Sequence, residues 1–156
     1  MITQQRNAGL DSYAALLAHA AGVSVQGGLM HHIISFVTKM FDVTKEDENP
    51  INPIYGQSLL LWLKDQVAET VQLENPDAED WGWYSNIEWK GRTYMLGASA
   101  TESDSSGYEW VFQVEKKRTI KEKLFGREKM AKDDECLLFF KSVFTAEPEF
   151  KGVTVE

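Results

Sequence analysis

Asp80-Trp81-Gly82-Trp83-Tyr84-Ser85-Asn86-Ile87-Glu88-Trp89 is the stretch whose reading decides the fold of this chain. Three of the five tryptophans fall here, all at odd positions. Side chains alternate between the two faces of a strand, so Trp81, Trp83, Ile87 and Trp89 are expected on one face, and Tyr84, Asn86 and Glu88 on the other. An aromatic face that dense has to be covered. The stretch therefore reads as a central hairpin strand of a sheet roofed by helices.

The flanking sequence extends this pattern. Lys90-Gly91 is a short turn with a glycine, a hairpin signal. Thr93–Ala100 then places Tyr94, Leu96, Ala98 and Ala100 on one face. A polar loop from Thr101 to Gly107 leads into Tyr108–Glu115, where Tyr108, Trp110, Phe112 and Val114 alternate with Glu109, Val111, Gln113 and Glu115. The result is a three-strand meander with one aromatic-rich face and one mixed polar face.

Upstream, Ile33 to Val43 is apolar and β-branched, suited to a buried first strand. Asp42 to Pro53 is a loop with the acidic run Glu46-Asp47-Glu48 and two Asn-Pro pairs, each of which disfavours helix before its proline. Ser58 is a candidate N-cap for a helix in which Leu59, Leu60, Trp62, Leu63, Val67 and Val71 recur at helical spacing to about Leu73. Glu74-Asn75-Pro76-Asp77 stops it.

Downstream, Thr119 and Glu122 form a capping box for a short helix, Ile120–Phe125, closed by Gly126. Asp133-Asp134 starts a longer helix with Cys136, Leu137, Phe139, Phe140, Val143 and Phe144 in one apolar stripe. Phe150, Val153 and Val155 suit a last strand. The main order is β-α-β-β-β-α-β, an α+β two-layer sandwich with an antiparallel-rich sheet and helices on one face.

Residues 1–29 differ from the rest, with one basic residue, Arg6, and one acidic residue, Asp11. They read either as a leader preceding a natural start at Met30 or as a loosely attached N-terminal helix, Asp11 to Ala21. Residues 30–156 form the single α+β domain.

Composition narrows the function. Of 156 residues, 43% are hydrophobic and 26% charged, an ordinary globular balance. The net charge of −8 argues against nucleic acid as the main partner. A single cysteine, Cys136, excludes an internal disulfide framework and a Cys-rich zinc site. It reads as a buried core residue, because no basic side chain except Lys132 lies within a turn of it to favour a thiolate. No apolar run approaches the roughly 20 residues of a bilayer span, so no membrane partner is expected, and the cytoplasm is the expected location.

Chemistry-bearing motifs do not emerge. No GxSxG, P-loop, GxGxxG or HExxH pattern is present, so no catalytic residue, metal or cofactor is assigned. Adjacent His31 and His32 point to opposite faces of a strand and read as non-ligating. Glu79, Asp80, Glu88, Glu109 and Glu115 lie on or beside the meander and read as a solvated face rather than an acid–base pair. Residues 116–132 hold eight basic and two acidic residues, a local charge of +6 that leaves −14 for the remainder. That segment reads as a solvated helix and turn, with a phosphate contact as the sharper alternative.

Asn52-Pro53-Ile54-Tyr55-Gly56-Gln57-Ser58-Leu59-Leu60-Leu61-Trp62-Leu63 and Glu79-Asp80-Trp81-Gly82-Trp83-Tyr84 look like segments of small acidic uncharacterised bacterial proteins. In general character the chain is also similar to the immunity proteins of bacterial toxin systems. This resemblance implies a binding protein and names no functional residue.

The favoured reading is a non-enzymatic binding domain that meets a basic protein through its acidic loops and its polar sheet face. The candidate residues are Glu46, Asp47, Glu48, Asp77, Glu79, Asp80 and Trp81, which flank the first helix in two loops. The alternative is a small-ligand binder or enzyme with a pocket between the Trp-rich sheet face and the C-terminal helix.

Overall fold

A computed structural model describes residues 32–103 and 107–156. The proposed Asp11–Ala21 helix, His31 and the middle of the 101–107 loop lie outside the described residues. The chain forms β1 (His32–Thr38), a 3-10 turn (Val43–Lys45), α1 (Gln57–Gln66), β2 (Asp77–Glu79), β3 (Gly82–Trp89), β4 (Arg92–Ser103), β5 (Gly107–Lys116), α2 (Ile120–Leu124), α3 (Glu135–Ala146) and β6 (Lys151–Val155). The six strands make one open sheet in the order β2-β3-β4-β5-β1-β6, antiparallel throughout. This is the expected α+β sandwich, with a short additional strand, β2, before the meander.

Registration places the aromatic residues as the alternation requires. Trp83 pairs with Ala98, Ala98 with Phe112 and Phe112 with Ile34, so one row of a single face runs across four strands. Trp83, Ile87, Leu96, Trp110, Phe112, Ile34 and Phe36 are buried there with Leu59, Leu60 and Leu63 of α1 and Leu137, Phe140 and Phe144 of α3. Phe36 stacks on Phe150 at 4.1 Å between ring centres, and Phe112 meets Phe144 edge-on at 4.8 Å. Edge-to-face and offset pairs of this kind add to the stabilisation from area burial.

Four local expectations change. β1 stops at Thr38, whose Oγ1 accepts from the Met40 amide at 3.1 Å. The apolar run to Val43 continues because Phe41 and Val43 cover the core as loop residues. α1 ends at Gln66, where the Val67 amide closes on Leu63 O at 3.0 Å. Beyond it the Glu74 amide pairs with Asn86 O at 3.1 Å, so strand pairing takes the chain out of helix.

Trp81 is the largest departure. Asp80 and Trp81 form the two-residue turn between β2 and β3, with Glu79 paired to Gly82. Strand alternation does not extend through a turn, and Trp81 packs on the sheet face opposite Trp83. There it is 1% exposed, with Ile33, Met95 and Val111. Gly97 makes this possible: a Cβ on it would sit 2.6 Å from the Trp81 ring and 2.7 Å from Gln113 Cγ. The second face is therefore apolar and buried at its centre, where a mixed polar face was expected.

The N-cap also differs. Ser58 lies inside α1, and the cap position is Gly56, which has no side chain to offer. Gly56 is demanded by packing, since a Cβ would meet Ala98 O at 2.2 Å. The Glu46 carboxylate caps instead from ten residues upstream, accepting from the Gly56 amide at 2.9 Å and the Ser58 amide at 2.9 Å. A carboxylate at a helix N-terminus is stabilised by the free amides and the helix dipole.

α3 is tied down by one acidic side chain. Asp134 Oδ1 accepts from the Cys136 and Leu137 amides at 2.9 and 3.3 Å, and its Oδ2 accepts from the Tyr94 hydroxyl of β4 at 2.8 Å. Burial and this carboxylate both push the Tyr94 hydroxyl pKa up, so it stays a donor. Replacing Asp134 with Ala removes a cap and orphans a buried hydroxyl. The expected loss is about 2–3 kcal/mol, read from the urea midpoint, with Tyr94→Phe costing about 1 kcal/mol.

Candidate functional site

The acidic loop and the β2–β3 turn are far apart in sequence and are joined by two asparagines. Asn49, which is buried, donates through Nδ2 to Glu79 O and Gly82 O, each at 3.0 Å. Its Oδ1 accepts from the Ile51 and Asn52 amides at 3.0 and 3.1 Å. Asn52 donates to Asp80 O at 2.9 Å. X-Pro segments leave few amides for regular pairing, and these side chains supply the missing hydrogen bonds.

The clamp brings six of the seven candidate residues onto one ridge and assigns them different tasks. Glu46 is the helix cap. Asp47 exchanges two hydrogen bonds with Gln57, one from its own amide and one to its carboxylate, both 2.7 Å. Glu48 and Asp77 are exposed, and Glu79 and Asp80 are half-buried. Desolvation raises the Glu79 pKa first, with the Asp80 and Asp77 charges adding to it. Trp81 is not on this ridge as an exposed anchor, because its ring is buried on the second sheet face. Exposed apolar side chains nearby are Ile51 and Tyr55, which the sequence reading did not single out.

The Trp-rich face and the C-terminal helix are in direct contact. Phe139 lies 5.0 Å from Trp89, and Phe140 5.4 Å from Phe112, ring centre to ring centre. A cleft of about 450 Å³ lies elsewhere, between the turn after α1 and β3, lined by Thr70, Glu74, Asn86, Glu88 and Thr93 among others. Cys136 is fully buried, and burial pushes its thiol pKa up, against a reactive thiolate. Among the described residues no three His, Cys, Asp or Glu side chains converge as metal ligands. No helix among them is long and apolar enough to cross a membrane.

The basic segment forms a second surface. The expected capping box is present, with Thr119 Oγ1 accepting from the Glu122 amide at 3.2 Å and Glu122 accepting from the Thr119 amide at 2.8 Å. Glu122 also takes a two-pronged contact from Arg92 of β4, at 2.8 and 3.0 Å. Lys116 reaches Glu128 at 3.3 Å, and Met130 is buried in the main core. α2 is thus held at both ends while its apolar residues point outward: Ile120, Leu124 and Phe125 are 65%, 77% and 71% exposed. Charge counting missed this, because a five-residue helix shows no apolar period.

The chain matches no family model, no curated protein and no solved structure.

Two outcomes test this geometry. Asn49→Ala releases both strands of the clamp and should cost about 1–3 kcal/mol in urea unfolding, with amide exchange rising in the 46–53 loop and the 79–82 turn. Glu122 is held down to about 2 from 4.5, chiefly by Arg92 and then by the Thr119 amide. A depressed carboxylate stabilises the fold above its unfolded value and loses that contribution as the pH falls from 4.5 towards 2. Glu122→Gln should flatten the acid limb of the urea midpoint in that window and leave its shape above it unchanged.

Proposed function

We propose that this protein is a non-enzymatic binding domain whose acidic ridge engages a basic protein, with an immunity-type inhibitor of a toxin as the specific case. The observation that carries the reading is the Asn49–Asn52 clamp. It holds Asp47, Glu48, Asp77, Glu79 and Asp80 together before any partner arrives. Burial is the main cause of the raised Glu79 pKa, and the neighbouring Asp80 and Asp77 charges add to the cost of holding that carboxylate ionised. A basic partner relieves that cost on binding. Pre-ordered surfaces lose less entropy on association, and a field of one sign speeds encounter with the opposite sign.

Exposed Ile51 and Tyr55 supply apolar area beside the carboxylates, which electrostatic steering alone lacks. Glu46 and Asp47 are engaged in holding α1, so exposed Glu48 and Asp77 are the carboxylates best placed for the partner, Asp77 through Oδ2 because its Oδ1 accepts from the Ala78 amide at 2.8 Å. The resemblance to immunity proteins agrees with a compact acidic binder.

The test is affinity capture with the full chain at low and high salt, followed by kinetics with the captured protein. A basic protein should be retained at low salt and released at high salt. Glu48→Lys with Asp77→Lys should slow association about tenfold or more while leaving the melting temperature in place, since both side chains are exposed. Absence of any salt-sensitive partner, or unchanged association in the double variant, would count decisively against the ridge.

A further inference from the structure

We propose that the α2 knob, residues 117–129, docks on the surface of a bilayer rich in anionic lipid, inserting Leu124 and Phe125 with Ile120 beside them. Large apolar side chains this exposed are costly in water and ordinarily mark a contact surface. These three are exposed on a segment rich in basic side chains, Arg118, Lys121, Lys123, Arg127 and Lys129, while Lys117 turns toward Glu115 at 4.0 Å.

The negative charges within the knob are already used. Glu122 faces Arg92 and the Thr119 amide, and Glu128 faces Lys116. Lys121, Lys123, Lys129 and Lys132 have no acidic partner among the described residues. The knob therefore carries uncompensated positive charge on a chain that is otherwise acidic, and it is the part of the molecule an anionic surface attracts. It springs from the Arg92 end of β4, whereas the acidic ridge lies against Ala98 and Ser99, further along the same strand.

The identity of the basic residues favours lipid over a protein groove. The unpaired ones are lysines, hydrated point charges on flexible stems, which suit diffuse headgroup charge. Lysine is depleted at the centres of protein interfaces, where arginine is enriched. The two arginines of the knob are occupied locally, Arg118 with Arg127 O at 3.3 Å and Arg127 over the Phe125 ring at 5.8 Å. Long lysine stems can reach the headgroup layer while the apolar tip enters the acyl boundary, the arrangement of interfacial amphipathic segments. The geometry is also prepared in advance. The capping box, the Arg92 fork and buried Met130 hold the segment on both sides. Gly126, with φ +61°, and Glu128, with φ +54°, turn the chain back sharply after the tip. Such docking needs no spanning helix.

The experiment is co-sedimentation of the full chain with large unilamellar vesicles of phosphatidylcholine, with and without phosphatidylserine. Binding is expected to the mixed vesicles, to weaken as salt rises, and to be slight on phosphatidylcholine alone. Leu124→Asp with Phe125→Asp, and separately Lys121→Glu with Lys123→Glu, should each weaken binding by about tenfold or more. Circular dichroism and melting temperature should stay those of the parent, because none of the four side chains is buried. No binding to the mixed vesicles, or binding that the aspartate pair leaves untouched, would overturn the proposal. So would capture of the knob by a soluble acidic protein or a second copy of the chain in place of vesicles.

Discussion

Burial of one aromatic sheet face is the constraint on which the rest of the structure depends. Trp83, Trp110, Phe112, Phe36 and Ile34 lie on a single side of five antiparallel connections, and α1 and α3 exist as stable helices because they cover it. Neither helix is long enough to be secure alone in water, so tertiary packing supplies their stability. Phe150 completes the cover from just before β6, stacking on Phe36. The first and last strands are thereby fastened together, since β6 pairs with β1.

Polar side chains do the remaining positioning, and several carboxylates that look like a binding surface are structural first. Glu46 caps α1 because Gly56 cannot, and Gly56 is there because α1 passes too close to Ala98 for any side chain. Asp134 joins α3 to Tyr94. Asn49 and Asn52 fasten the proline-containing loop to the β2–β3 turn. In each case a side chain satisfies backbone groups that regular pairing leaves open. The acidic ridge is a by-product of this fastening, and its outward carboxylates, Glu48 and Asp77, are the ones left to interact.

The molecule consequently presents two surfaces of opposite character. The ridge is acidic, carries Ile51 and Tyr55 nearby, and is stiffened by hydrogen bonds. The α2 knob is basic, with an apolar tip anchored by the Arg92–Glu122 contact. The proposed basic partner and the proposed anionic surface would therefore use different residues.

The amino-acid sequence by itself determined the layer architecture, the strand alternation on β3, β4 and β5, the Thr119–Glu122 capping box and the Asp134 start of α3. These depend on period, cap chemistry and turn residues, which are local. Tertiary structure alone decided the face of Trp81, because a two-residue turn interrupts the alternation and the space for the ring comes from Gly97 on β4, not from its sequence neighbours. It likewise decided that Glu46 caps α1 from outside the helix, and that Asn49 and Asn52 tie Glu79 and Asp80 to the loop that carries Glu48. The outward aim of Leu124 and Phe125 belongs in the same class. A one-turn helix has no apolar period to read, and its orientation follows from an arginine on β4 that closes on Glu122 only when the sheet has formed.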